Sequence, residues 1–146
     1  MELDESSMRR LVLAKMIFFH GLHHAAQKDP LSRILSINHL DNANEISLRL
    51  LADMSEEDYD QDAFGSILAG AKKAYAKHTG MPTLPEEKEI VELHRVRNRV
   101  QHGAIIVDSD SVGRFKESTQ TFISTTLRKI FNRTLMQISL GNLVHN

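Results

Sequence analysis

The chain of 146 residues contains no cysteine, which removes disulfides, thiolate metal sites and cysteine nucleophiles and fits a reducing compartment. It also has no excess of charge of either sign. Eighteen lysines and arginines stand against 19 aspartates and glutamates, so no global field marks an indiscriminate nucleic-acid binder, and any anionic ligand must be met locally. Long hydrophobic runs are missing too. The nearest, Leu11 to Phe19, contains Lys15 and is far short of a membrane span; Gly21, Leu22, His23 and His24 follow it where a leader would carry a small-residue cleavage site. These absences lead to the expectation of a cytoplasmic protein with no membrane partner. Gly65, Gly70 and Gly80 are scattered rather than grouped as a phosphate loop, nothing resembles a nucleophile elbow, and no fixed-period repeat suggests a solenoid.

What is present is 41% hydrophobic residues, enough for one domain with its own core. Apolar residues recur at helical spacing in almost every segment, and the period-2 alternation of half-buried strands is nearly absent, so the chain reads as all-α, an up-and-down bundle of four to five helices. A first helix is expected from Ser6 or Ser7 to Gln27, burying Met8, Leu11, Val12, Met16, Phe19 and Leu22. Phe18 and Phe19 cannot easily face one core, so one of them is a candidate for a dimer surface. Asp29 as N-cap and Pro30 as first helical residue open a second helix to about Met54, burying Leu31, Leu35, Ile46, Leu50 and Leu51. Its other face carries a polar stripe of Asn38, Asp41, Asn42, Glu45 and Arg49. The acidic stretch from Ser55 to Asp62 reads as a connection. A third helix is expected from about Asp62 to His78, stopped by Gly80. Thr83 with Glu86 resembles a capping box for a fourth helix ending at His102, with Gly103 as a left-handed cap. Ala104 to Val107 reads as an extended connector, and a last helix is expected from the N-caps at Asp108 to Ser111 as far as Ser139.

The fourth helix closes on Leu93-His94-Arg95-Val96-Arg97-Asn98-Arg99-Val100-Gln101-His102-Gly103. Arg97, Asn98 and His102 read as Arg-Asn-x3-His. A guanidinium holds phosphate oxygens bidentately and an imidazole moves a proton near neutral pH, so the constellation suits phosphodiester chemistry without a metal. Arg97 and His102 lie five residues apart, roughly 140° around a straight helix, and so share no face. Converging them on one phosphate requires fraying at His102 or a second copy of the helix across a symmetric dimer. Two facing motifs supply a general base, a general acid and two anion clamps, with Arg95, Arg99 and His94 adding positive potential for substrate. A plainer reading stands beside this one. Arg95 and Arg99 also balance Glu86, Glu87, Glu89 and Glu92, His102 is also a favourable residue at a helix C-terminus, and Arg33 with His39 is another pair at similar spacing.

The segment from Leu93 to Gly103, at the end of the penultimate helix of an all-helical chain, resembles the signature of the HEPN superfamily: arginine, a polar residue that is often asparagine, and a histidine four to six positions after the arginine. Arg97, Asn98 and His102 match it residue by residue. The resemblance implies a helical bundle, homodimerisation through the motif helices, and in many members a metal-independent endoribonuclease of defence, toxin-antitoxin or RNA-processing systems, with no cofactor. It also implies RNA as substrate and an antitoxin or nucleotidyltransferase as partner. Other members bind or assemble without cutting, so a non-catalytic module beside such a partner is the second expectation. Asp41 or Glu45 is a candidate for the acidic residue that some members place near the arginine. One toxin branch carries a modified tyrosine two residues after the histidine; here that position is Ala104, so that mode of regulation is not expected.

A competing cluster is His20-Gly21-Leu22-His23-His24, where His20 and His24 are an i, i+4 pair on one helix face. No glutamate lies between them in the metalloprotease pattern, and His39 or Asp41 on the next helix would have to complete a coordination sphere. The plain reading is a set of exposed or partly packed histidines with no metal.

Overall fold

A computed structural model describes residues 2–103 and 105–139. Five helices make up the bundle: α1 (Glu5–Ala25), α2 (Pro30–Met54), α3 (Phe64–Thr79), α4 (Glu87–Gln101) and α5 (Ser109–Thr126). No strand occurs among the described residues. Three of the five starts use one device. Asp4, Asp29 and Asp108 are N-caps whose side chains accept the backbone N–H of the serine three residues on, Ser7, Ser32 and Ser111. This satisfies an orphan donor and places negative charge at the positive end of the helix dipole. Those hydrogen bonds hold all three carboxyls below the ordinary aspartate range. Because Asp4 is the cap, α1 begins one or two residues earlier than its serines suggest.

The start of α4 differs from expectation. Thr83 and Glu86 form no capping box: Glu86 is the N-cap in a left-handed conformation, φ 56°, without a side-chain hydrogen bond. Pro85 delays the helix to Glu87, and the reach-back moves one residue along, with the Glu87 carboxylate accepting the Leu84 N–H at 3.1 Å. At the other end of α3, Gly80 adopts φ 77° as a C-cap donating to Ala76, a conformation that costs glycine nothing.

Helix α2 is the axis of the bundle and packs against each of the other four helices. One contiguous core results, with Phe18, Ile37, Leu40, Leu48, Leu51, Tyr75, Phe115 and Phe122 sealed from solvent. Burying each such side chain contributes roughly 1.5–3 kcal/mol. Inside it, Asn44 Nδ2 donates to Thr119 Oγ1 at 3.1 Å and ties α2 to α5. The buried arc of α1 is rotated from the expected one: Phe18 is 1% exposed, whereas Met16 and Phe19 are about half exposed. The helical period places such an arc only to within a residue. The approach of α2 decides it, and at Gly21 the two helices come so near that an added Cβ would lie 3.1 Å from His39 Cβ. Leu31, in the first turn of α2, is exposed as well, and Leu35 and Ile46 are only half-buried.

The final helix is shorter than expected. After Thr126 it widens into a π-helical turn, Leu127–Phe131, and stops at Asn132 in a left-handed conformation, φ 53°. The chain then turns through a 3-10 segment, Leu135–Gln137, and Ile138 folds back into the core, its carbonyl accepting from Lys15 Nζ at 2.6 Å. Ala104 lies outside the described residues; positions 105–107 form the expected irregular connector.

Candidate functional site

His94, Arg97 and Asn98 occur at i, i+3 and i+4 on α4 and therefore share one face. That face meets Asp41, which α2 carries into the interior at 2% exposure. A bare carboxylate there would be costly, and α4 supplies what it lacks. The Nδ1–H of His94 lies 3.2 and 3.3 Å from the two carboxylate oxygens, and Nε of Arg97 lies 3.7 Å from one of them. Nη1 of Arg97 donates in turn to Asn98 Oδ1 at 3.2 Å. The ring of Phe64, from the start of α3, stacks on His94 at 3.8 Å with planes 9° apart. One turn from Asp41, Asn38 Oδ1 is buried without a hydrogen-bond partner.

The structure thus brings together His94, Arg97 and Asn98 around Asp41. It does not bring His102 to them. His102 is the C-cap of α4, exposed, with φ −88° and ψ 9°. Its backbone N–H donates to Asn98 O, while among the described residues no side-chain hydrogen bond or ion pair joins it to Arg97. Arg95 is exposed and paired with Glu92 at 2.6 Å. Arg99 is exposed and has no ion-pair partner among the described residues. The side chain of Arg97 keeps 32% of its surface open, against 15% for His94. His94, placed by sequence among substrate-binding groups, is turned inward as a prop for Asp41.

Chemically, the arrangement is a guanidinium with a fixed heading. Asp41 and the Asn98 carbonyl oxygen take donors on one side of Arg97; the remaining donors, and the Asn98 NH2 group, stay available to an anion. The polar stripe of α2 pointed to Asp41, but Phe64 had no signal beyond that of a core residue.

The opposite face of α2 holds a second cluster. His20, His24 and His39 each offer a ligand nitrogen within 4.8 Å of the other two, and they form the one group of three potential metal ligands among the described residues. Partial burial, then the neighbouring His20, His39 and His23, hold His24 below the ordinary imidazole value, with Asp29 opposing. Asp41 takes no part in this cluster.

Compared with known proteins, the chain matches no family model, no curated protein and no solved structure.

Proposed function

We propose that this chain is a metal-independent, HEPN-type endoribonuclease whose active site is completed by a second copy of α4 in a homodimer. The observation that carries the reading is the division of labour along one helix end. Arg97 is held in place by the buried Asp41 and by Asn98, and His102 stands exposed five residues beyond it. Within one copy the clamp and the proton carrier are separated around the helix. Facing copies put the clamp of one opposite the imidazole of the other.

In the reaction, one His102 takes the proton from a ribose 2′-hydroxyl, and the oxygen attacks the adjacent phosphorus. Arg97 neutralises the charge that builds on the non-bridging oxygens, and the Asn98 NH2 group orients one of them. The P–O5′ bond breaks, and the second copy's His102 protonates the departing 5′-oxygen. The products are a 2′,3′-cyclic phosphate and a 5′-hydroxyl, and DNA, lacking the 2′-hydroxyl, is left intact. Arg99, exposed and without an ion-pair partner among the described residues, would meet a flanking phosphate. The setting consistent with such chemistry is cytoplasmic, in defence or toxin control with an antitoxin partner.

A second reading rests on a specific observation. Arg97 and Arg95 each face a carboxylate of their own chain, which leaves little net positive charge around the motif and favours a binding or assembly module beside a partner such as a nucleotidyltransferase. Incubating the purified protein with mixed RNA in excess chelator separates the two. The first reading expects cleavage with cyclic phosphate ends, reduced about 10²- to 10⁴-fold by His102→Ala. No cleavage, or cleavage indifferent to the substitution, leaves the assembly module.

A further inference from the structure

We propose that His20, His24 and His39 form a binding site for a divalent late first-row metal ion, with zinc as its occupant, that clips α1 to α2 and leaves one coordination position to water. His20 and His24 lie one turn apart on α1 with ring centroids 4.9 Å apart. His39 reaches them from α2, its ring 4.9 Å from that of His20 and 5.3 Å from that of His24. A tetrahedral ion with nitrogens at about 2.1 Å holds them about 3.4 Å apart. The present spread, within 4.8 Å, is closed by small rotations, and His20 is exposed and free to make them.

Three features distinguish this cluster from a chance stack of rings. First, His39 Nδ1 lies 2.8 Å from the Leu35 carbonyl oxygen. A carbonyl only accepts, so Nδ1 carries a hydrogen, and in the neutral ring Nε2 keeps its lone pair, the tautomer and anchoring typical of a metal-bound histidine. Second, among the described residues none of the three rings hydrogen bonds to a carboxylate, so no acidic side chain occupies their ligand nitrogens. Third, Gly21 lies between the two α1 histidines, where an added Cβ would come within 3.1 Å of His39 Cβ. A glycine there lets the helices approach until His39 joins the pair.

The donor set selects the metal. Three imidazoles without carboxylate suit zinc, and among its neighbours cobalt, nickel and copper, rather than magnesium or calcium. Three protein ligands leave the fourth position open. The site lies on the face of α2 opposite Asp41, so it stands or falls independently of the ribonuclease reading.

The test uses the full chain, stripped with chelator and titrated with Co²⁺ and then Zn²⁺. One ion per chain is expected, with visible cobalt bands of four- or five-coordinate geometry that zinc displaces, and a zinc-dependent rise in melting temperature. His20→Ala and His39→Ala are each expected to weaken zinc binding about 100-fold. His78→Ala, at the exposed end of α3, is expected to leave it unchanged. Since His20 is exposed, its variant keeps the fold even if the His39 variant does not. Zinc binding no tighter than about 10 μM, or wild-type affinity in His20→Ala, overturns the proposal.

Discussion

His39 and Asp41 are two residues apart on α2, about 200° around the helix, and they organise two regions of opposite character. On the Asp41 side a buried carboxylate has drawn an imidazole N–H and a guanidinium to itself, and an aromatic ring covers the join. On the His39 side three imidazoles meet, and among the described residues none of them hydrogen bonds to a carboxylate. In the first region the charged groups are paired within the chain, and what it offers outward is the leftover donors of Arg97 and Asn98, which suits an anion. The second offers lone pairs without a cation, which suits a metal. The same residue type therefore has two meanings: His94 is a donor because Asp41 faces it, and in the proposed metal site His39 would be a ligand through Nε2 because the Leu35 carbonyl holds the hydrogen on Nδ1.

The largest effect that would break this contrast is expected from Asp41→Ala. Removing the carboxylate strands His94 and frees Arg97, and equilibrium denaturation should show a loss of about 2 kcal/mol, below the ~3–5 of a fully enclosed pair because Arg97 reaches water. Unchanged stability would mean that the Asp41 cluster holds nothing in place. A smaller effect is expected from Phe64→Leu, which removes the ring stacked on His94: about 1 kcal/mol in the same measurement, with zinc affinity untouched, since the ring lies on the other face. The smallest is a dependence on pH shared by both regions through the helix starts. The carboxyls of Asp4, Asp29 and Asp108 are lowered in the folded chain. Their contribution is therefore complete above the unfolded aspartate pKa of about 3.9 and fades as pH falls through the lower folded values. Acid titration of wild type beside Asp29→Asn should show a shallower loss below pH ~4 in the variant; parallel curves would remove Asp29 from the account.

How much of this was legible in the sequence follows from the range of each interaction. The bounds of α2 were legible because Asp29 and Pro30 act within one turn, and Gly80 ended α3 for the same local reason. The burial of Phe18 in place of Phe19 was not, because α2 alone decides which face of α1 it meets. The stop at Asn132 was missed since asparagine only tolerates the left-handed conformation, and no glycine or proline marks the place. In the candidate site, Arg97, Asn98 and His102 were legible as a spacing, but the inward turn of His94 depends on Asp41, 53 positions away. His39 was named only as one of two ways to complete a histidine cluster; the crossing of α1 over α2 at Gly21 chose it over Asp41.

The most direct test of the central claim, that α2 separates an anion-handling face from a metal-binding face, crosses two variants with two readouts. His102→Ala and His39→Ala are each assayed for cobalt binding and for RNA cleavage in chelator. His102→Ala is expected to bind cobalt like wild type and lose cleavage, while His39→Ala is expected to lose cobalt and cleave like wild type. Loss of both properties in one folded variant, or RNA cleavage that disappears with the metal, would contradict that claim.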